Sequence, residues 1–222
     1  MLVIRHRRHN LLGTGQDLRP MTKETMLDHL GQMVRSCVMC TLGRATHADK
    51  PSGFNPHVFS AGGISKFMVV GQNPGHNECL VHEPFVGEAG KFFNEQVEAN
   101  GLSRSDFYIT NTVKCYTEKN ANPTFEYVSR CEPILRIEIG ILRPKLVITL
   151  GATAFDVFCP DKKMSGHLGQ IVRSEKFEVD IYPIYHPSPR NMAVPERRAK
   201  FVEDVRVLCT LIKTLGGQPC NA

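Results

Sequence analysis

Four short apolar runs, each halted by a turn-forming cluster, constrain this chain most. Residues 66–71 (KFMVVG) read as a buried strand that stops at glycine. Residues 107–111 (FYITN) read as a second strand, and 145–150 (KLVITL), stopped by Gly151, as the clearest. Ile184-Tyr185 is a last short strand running into His186-Pro187. Residues 170–173 and 177–181 are weaker strand candidates. Between these runs the apolar spacing turns helical over 21–34, 88–100, 132–142 and 195–215, and Gly151 starts a turn into 152–158. Gly101 is a good helix stop and Pro144 follows the third helix. Strands alternating with helices predict a three-layer α/β/α fold with a mostly parallel central sheet.

The 222 residues suffice for a sizeable core and suggest one or two domains. Residues 21–215 read as one domain. Residues 1–20 read as a basic arm, with Arg5, Arg7, Arg8 and Arg19 against Asp17. Residues 216–222 read as a tail, and 41–63, rich in Gly, Pro, His and Ser, as a long loop. No stretch nears 18 apolar residues, so no membrane span is expected. The start lacks an apolar signal region, so a cytoplasmic location is the default. Net charge of +5 permits nucleic-acid binding without demanding it.

Eight cysteines without a secretory signal argue against a disulfide framework. Cys37-x2-Cys40 is a weak metal signal alone. Cys115 directly follows a strand-end cluster, and Cys131 lies downstream. Four such thiolates fit Zn²⁺ or a [4Fe–4S] cluster. Buried reduced thiols are the plain alternative. Cys159 and Cys209 read as packing residues.

In open parallel sheets, ligands bind beyond the carboxyl ends of the strands. Here those ends carry Gly71-Gln72-Asn73-Pro74-Gly75, then Asn111-Thr112 with Lys114-Cys115, then His186-Pro187-Ser188-Pro189-Arg190. A pocket there holds two Asn, a Gln and a His, with few acids. That favours hydrogen-bond recognition of a neutral polar ring. Each cluster also has a plain structural reading, as a turn or a strand end.

Together these blocks resemble the family 4, iron–sulfur uracil-DNA glycosylases. The resemblance spans 33–213. It rests on Val70-Gly-Gln-Asn-Pro-Gly-His-Asn-Glu78, Pro84-Phe-Val-Gly-Glu-Ala-Gly90, Tyr108-Ile-Thr-Asn-Thr-Val-Lys-Cys115, Leu142-Arg-Pro-Lys-Leu-Val-Ile-Thr-Leu-Gly-Ala-Thr-Ala154 and Tyr185-His-Pro-Ser188. It implies a four-stranded parallel sheet and a structural [4Fe–4S] cluster on Cys37, Cys40, Cys115 and Cys131. It implies hydrolysis of the N-glycosidic bond of deoxyuridine in DNA after base flipping. Gly71 and Gln72 then border the uracil, Phe85 stacks on it and Asn111 pairs with its edge. His186 stabilises the departing anion.

Two departures bear on mechanism. The family's first block usually reads Gly-Glu-Ala-Pro-Gly, whereas Gln72 and Asn73 stand here. Asn73 falls where the wider superfamily places the Asp or Asn that handles the attacking water. An amide orients water but cannot act as base, so slower chemistry is expected. Arg190 stands where better-known relatives place a wedging Leu, with Ser188 as a phosphate contact. The expected partner is uracil-containing DNA, single- or double-stranded, with the protein as monomer. The alternatives are a weakly active or inactive DNA-binding homologue, or a glycosylase for another deaminated base.

Overall fold

A computed structural model describes residues 20–45 and 47–216. The basic arm and the tail otherwise lie outside the described residues.

The chain begins with α1 (Lys23–Arg35), where the Thr22 side chain accepts from the Thr25 N–H as an N-cap. A short α2 (Thr41–Arg44) and a two-residue strand, β1 (Ser60–Ala61), follow. Next come β2 (Phe67–Gly71), α3 (His76–Val81), α4 (Glu88–Ala99) and β3 (Tyr108–Asn111). The second half holds α5 (Phe125–Leu142), β4 (Leu146–Leu150), α6 (Ala152–Phe158), β5 (Val172–Ser174) and β6 (Val179–Ile184). It closes with α7 (Pro189–Met192) and α8 (Pro195–Thr214).

The strands form one six-stranded sheet in the order β1-β3-β2-β4-β6-β5. The expectation of four strands is therefore corrected. The four inner strands are parallel to one another, and the edge strands β1 and β5 pair antiparallel. Those edges are only two and three residues long and carry no apolar run. The candidates at 177–181 and 184–185 belong to one strand, β6. Its Pro183 lies past the last residue of β6 that pairs with β5, where a missing N–H breaks no edge ladder.

Strand side chains alternate between two cores, as a period of two requires. Val69, Ile109, Ile148 and Tyr182 pack against Phe93 and Val97 of α4 and Phe201, Val205 and Leu208 of α8. Met68, Val70, Tyr108, Val147 and Ile181 pack against Leu27 of α1, Leu135 of α5 and Phe155 and Phe158 of α6. Helices thus cover both faces of an α/β sheet whose middle strands are fully buried. Truncating a fully buried core residue such as Phe93 to Ala costs about 3–5 kcal/mol.

The register sets the strand ends level. Gly71 pairs with Asn111, Val70 with Thr149 and Leu150 with Ile184. All four parallel strands therefore release their chains at one edge. Among the described residues, no helix is long and apolar enough to cross a membrane.

Candidate active site

Beyond that edge lies a cleft of about 1030 Å³, lined by residues from the turns after β2, β3, β4 and β6 and from the Phe85 loop. Gly71, two residues beyond Val69, lies on the α4–α8 side of the sheet. A Cβ there would come 2.4 Å from the Phe85 ring and 2.5 Å from Asn111 Oδ1. Glycine is thus what lets Phe85 and Asn111 close over the strand end.

Asn111, at the same level, is only 1% exposed. Neither its Oδ1 nor its Nδ2 has a hydrogen-bond partner within the protein. A buried amide left this way costs free energy unless a ligand satisfies it. Its backbone is held firmly, since the Lys114 ammonium donates to the Asn111 carbonyl at 2.7 Å. The amide thus offers one donor and one acceptor, both unpartnered, to the cleft it lines.

Phe85 and His186 line the same cleft, with ring centroids 6.2 Å apart and planes tilted by 37°. Burial lowers the His186 pKa to about 4, and nearby Glu78 only partly opposes this. The imidazole is therefore neutral at pH 7 and donates one N–H. Asn191 Nδ2 donates to the His186 carbonyl at 2.9 Å, and Arg197 donates to Asn191 Oδ1 at 2.9 Å. These bonds pin the turn that carries the histidine.

Asn73 sits in a chain of bonds whose polarity can be derived. The Ala121 carbonyl can only accept, so the Thr117 hydroxyl donates to it, at 2.6 Å. Thr117 Oγ1 therefore accepts from Asn73 Nδ2, at 2.9 Å. The same Nδ2 donates to the Pro74 carbonyl at 3.1 Å. Asn73 Oδ1 is then left to accept from Gln72 Nε2 at 2.9 Å, while Gln72 Oε1 accepts from Thr153 at 2.8 Å. Gln72 Nε2 also donates to Asn122 Oδ1, at 3.2 Å. Both amide protons of Asn73 are committed, and its oxygen keeps one lone pair. Toward a water molecule it can only accept.

Two acids, Glu78 and Glu88, line the cleft, so it is less acid-poor than the strand-end clusters suggest. Glu78 is occupied as a scaffold. Its Oε1 accepts from the Val86 and Gly87 N–H groups at 3.1 and 2.9 Å. Ser188 caps α7 by accepting from the Asn191 N–H, and Arg190 stands exposed on that short helix at the cleft rim. Sequence reasoning missed Thr117, Asn122 and Thr153. Thr153 lies in the 142–154 segment that carries the resemblance, but nothing local marks the other two.

A second group lies away from the cleft. Cys37 follows α1, Cys40 is the N-cap position of α2, Cys115 follows β3 and Cys131 lies on α5. All four are free thiols. Burial chiefly, then the charges of Cys131, Cys40, Cys37 and Cys79, push the Cys115 thiol well above its ordinary range. The four thiols therefore lie near enough for their charges to be felt at Cys115, without being gathered into a ligand group. Among the described residues, no three His, Cys, Asp or Glu side chains are grouped to hold a metal ion. The donor chemistry still suits a thiolate-bound group. The Lys114 N–H hydrogen-bonds Cys131, and His57 Nδ1 lies 3.2 Å from Cys115 Sγ.

Comparison with known proteins agrees with this geometry. The Uracil DNA glycosylase superfamily model matches residues 60–207. This chain belongs to that superfamily. It is 31% identical to the Type-4 uracil-DNA glycosylase of Thermotoga maritima over 204 residues, covering 88% of this chain and 99% of the relative. It is 34% identical to the Type-4 enzyme of Saccharolobus solfataricus over 192 residues, 81% of this chain and 83% of that one. A Type-5 uracil-DNA glycosylase of Pyrobaculum aerophilum is 37% identical over 99 residues, 42% of this chain and 41% of its own length. The match over residues 60–207 takes in every cleft residue named above. It also takes in Cys115 and Cys131, whereas Cys37 and Cys40 lie outside it.

Proposed function

We propose that this superfamily member is a DNA-repair glycosylase that hydrolyses the N-glycosidic bond of deoxyuridine in DNA, leaving an abasic site. The observation that carries the reading is the buried Asn111 amide, unpartnered within the protein and lining the same cleft as Phe85 and His186. A base inside a duplex cannot reach it, so the nucleotide is flipped out. The Phe85 ring stacks on the uracil. Asn111 accepts from N3–H and donates to O4, a pattern cytosine reverses. His186, held neutral, donates to O2 as negative charge builds there, which stabilises the leaving anion.

Asn73 presents one lone pair to a water, accepts its proton side and leaves the water oxygen free to attack the sugar. It cannot remove the proton, which passes to the departing uracil anion or to bulk water as the C–O bond forms. Without base assistance the reaction runs about 10²–10⁴-fold slower than in a relative with a carboxylate there. Ser188 and Arg190 at the rim meet the DNA backbone and the gap left by the flipped base. The substrate is uracil-containing DNA, single- or double-stranded, and residues 21–215 act as one monomeric unit.

Cys37, Cys40, Cys115 and Cys131 hold a [4Fe–4S] cluster on this reading. Its contribution is structural, a covalent tie between distant segments.

The test uses end-labelled oligonucleotides with a single uracil, followed by alkali. Strand cleavage at that position is expected, with His186→Ala slower by about 10²-fold or more. Folded protein that binds this DNA but never cleaves it overturns the reading in favour of a binding protein.

A further inference from the structure

Phe85 adopts φ of 57°, the left-handed region, which an aromatic residue rarely occupies. Such a conformation persists only where its surroundings impose it. Here the loop is gripped from both sides. Glu78 takes the N–H groups of Val86 and Gly87, after the aromatic residue. Arg104 takes the carbonyls before and at it. Its Nη1 donates to the Phe85 oxygen at 3.2 Å and its Nη2 to the Pro84 oxygen at 2.6 Å. The same Nη2 pairs with Glu83 at 2.9 Å, which aims the guanidinium. Gly90 lets α4 approach from below, since a Cβ there would meet the Phe85 oxygen at 1.8 Å.

Arg104 is not among the residues lining the cleft. It lies in the turn that precedes β3 and reaches the site only through this loop. A planar guanidinium spans two adjacent carbonyls, a geometry that an ammonium reproduces poorly.

We infer that Arg104 is a positioning residue for base recognition, holding Phe85 in its strained stacking conformation without touching substrate or DNA. The inference rests on the stacking role proposed for Phe85. Arg104 holds the ring where a flipped base arrives, so the strain is met before substrate binds. Loss of the clamp lets the loop relax to ordinary backbone angles and withdraws the ring from the cleft.

The experiment compares Arg104→Met, Arg104→Lys, Phe85→Ala and the double variant Phe85→Ala/Arg104→Met. Three quantities are read: kcat/KM on uracil-containing DNA, inhibition by free uracil, and affinity for DNA holding an abasic site. Arg104→Met is expected to lower kcat/KM and weaken uracil inhibition about tenfold each. Affinity for abasic DNA stays unchanged, because that ligand has no base to stack. Arg104→Lys recovers part of the loss. In the Phe85→Ala background, Arg104→Met adds nothing further.

Unchanged uracil inhibition in Arg104→Met, or a further full loss in the double variant, overturns the inference. If Phe85→Ala itself leaves uracil inhibition intact, the stacking role fails, and that failure is visible separately. Should Arg104→Met not fold, the partial loss in Arg104→Lys and its disappearance in the Phe85→Ala background decide the matter.

Discussion

His186 shows how one residue's surroundings fix its chemistry. Its pKa falls from 6.5 to about 4 because burial disfavours the imidazolium. In the role proposed for it, a neutral donor suits a developing anion. The same shift affects folding. The folded state resists a proton that the unfolded chain accepts, so stability is complete above about pH 6.5 and falls as pH drops toward 4. The span corresponds to about 3 kcal/mol at most. Urea unfolding of wild type and His186→Asn at pH 7 and pH 4.5 should show a smaller acid loss in the variant. Equal losses would mean that the histidine titrates normally. His186 and Asn111 were legible in the sequence because each sits on a short block at a strand end, and Phe85 because the block 84–90 resembles the family's. Thr117 and Arg104 were not. Thr117 meets Asn73 across 44 residues of chain, and Arg104 meets Phe85 across 19. Only the folded backbone brings such partners together.

Among the elements, the inner strands were readable because full burial demands continuous apolar runs. Edge strands face no such demand, and β1 and β5 went unseen or blurred. Helix α5 begins at Phe125, seven residues before its expected start. Pro133 disguised it, although the N-cap Thr124 accepts from Tyr127 and the helix continues through the proline. This longer α5 is what places Cys131 on a helix, and it also carries Glu138 to β3. Glu138 is fully buried, pairs with Lys114 at 2.5 Å and accepts from the Tyr108 hydroxyl at 2.8 Å. Lys114 also donates to Thr110, so one ammonium ties β3, its exit turn and α5. Removing it strands a carboxylate in the core. Lys114→Met should cost about 3–5 kcal/mol in urea unfolding, and the double variant Lys114→Met/Glu138→Leu should recover most of it. A loss that persists in the double variant would assign the pair a role beyond charge compensation.

Across the whole molecule, the segment 41–63 changes from an unexplained loop to the link between two centres. It contains α2 and β1, and His57 bridges to Cys115 in β-fashion. Val58 donates to the Lys114 carbonyl, and Tyr116 donates to Pro56. The Phe54 ring lies 5.4 Å from Tyr116 and 5.4 Å from His76, which lines the cleft. From Cys115 the chain runs through Tyr116 to Thr117, the residue that fixes the Asn73 amide. The Cys115 segment therefore anchors the wall of the cleft although no cysteine lines it. Composition alone marked 41–63 as irregular because its order comes from contacts with residues 79 and 114–116, distant in sequence. If the four thiolates hold a cluster, the purified protein is brown and contains about four iron atoms per chain. Cys115→Ser should then lose much of the visible absorbance, melt at a lower temperature and excise uracil more slowly. Colourless protein with one zinc per chain would replace the cluster by a single ion on the same cysteines. Full activity and unchanged melting in Cys115→Ser would separate this segment from the cleft, and the path through Tyr116 and Thr117 would carry no coupling.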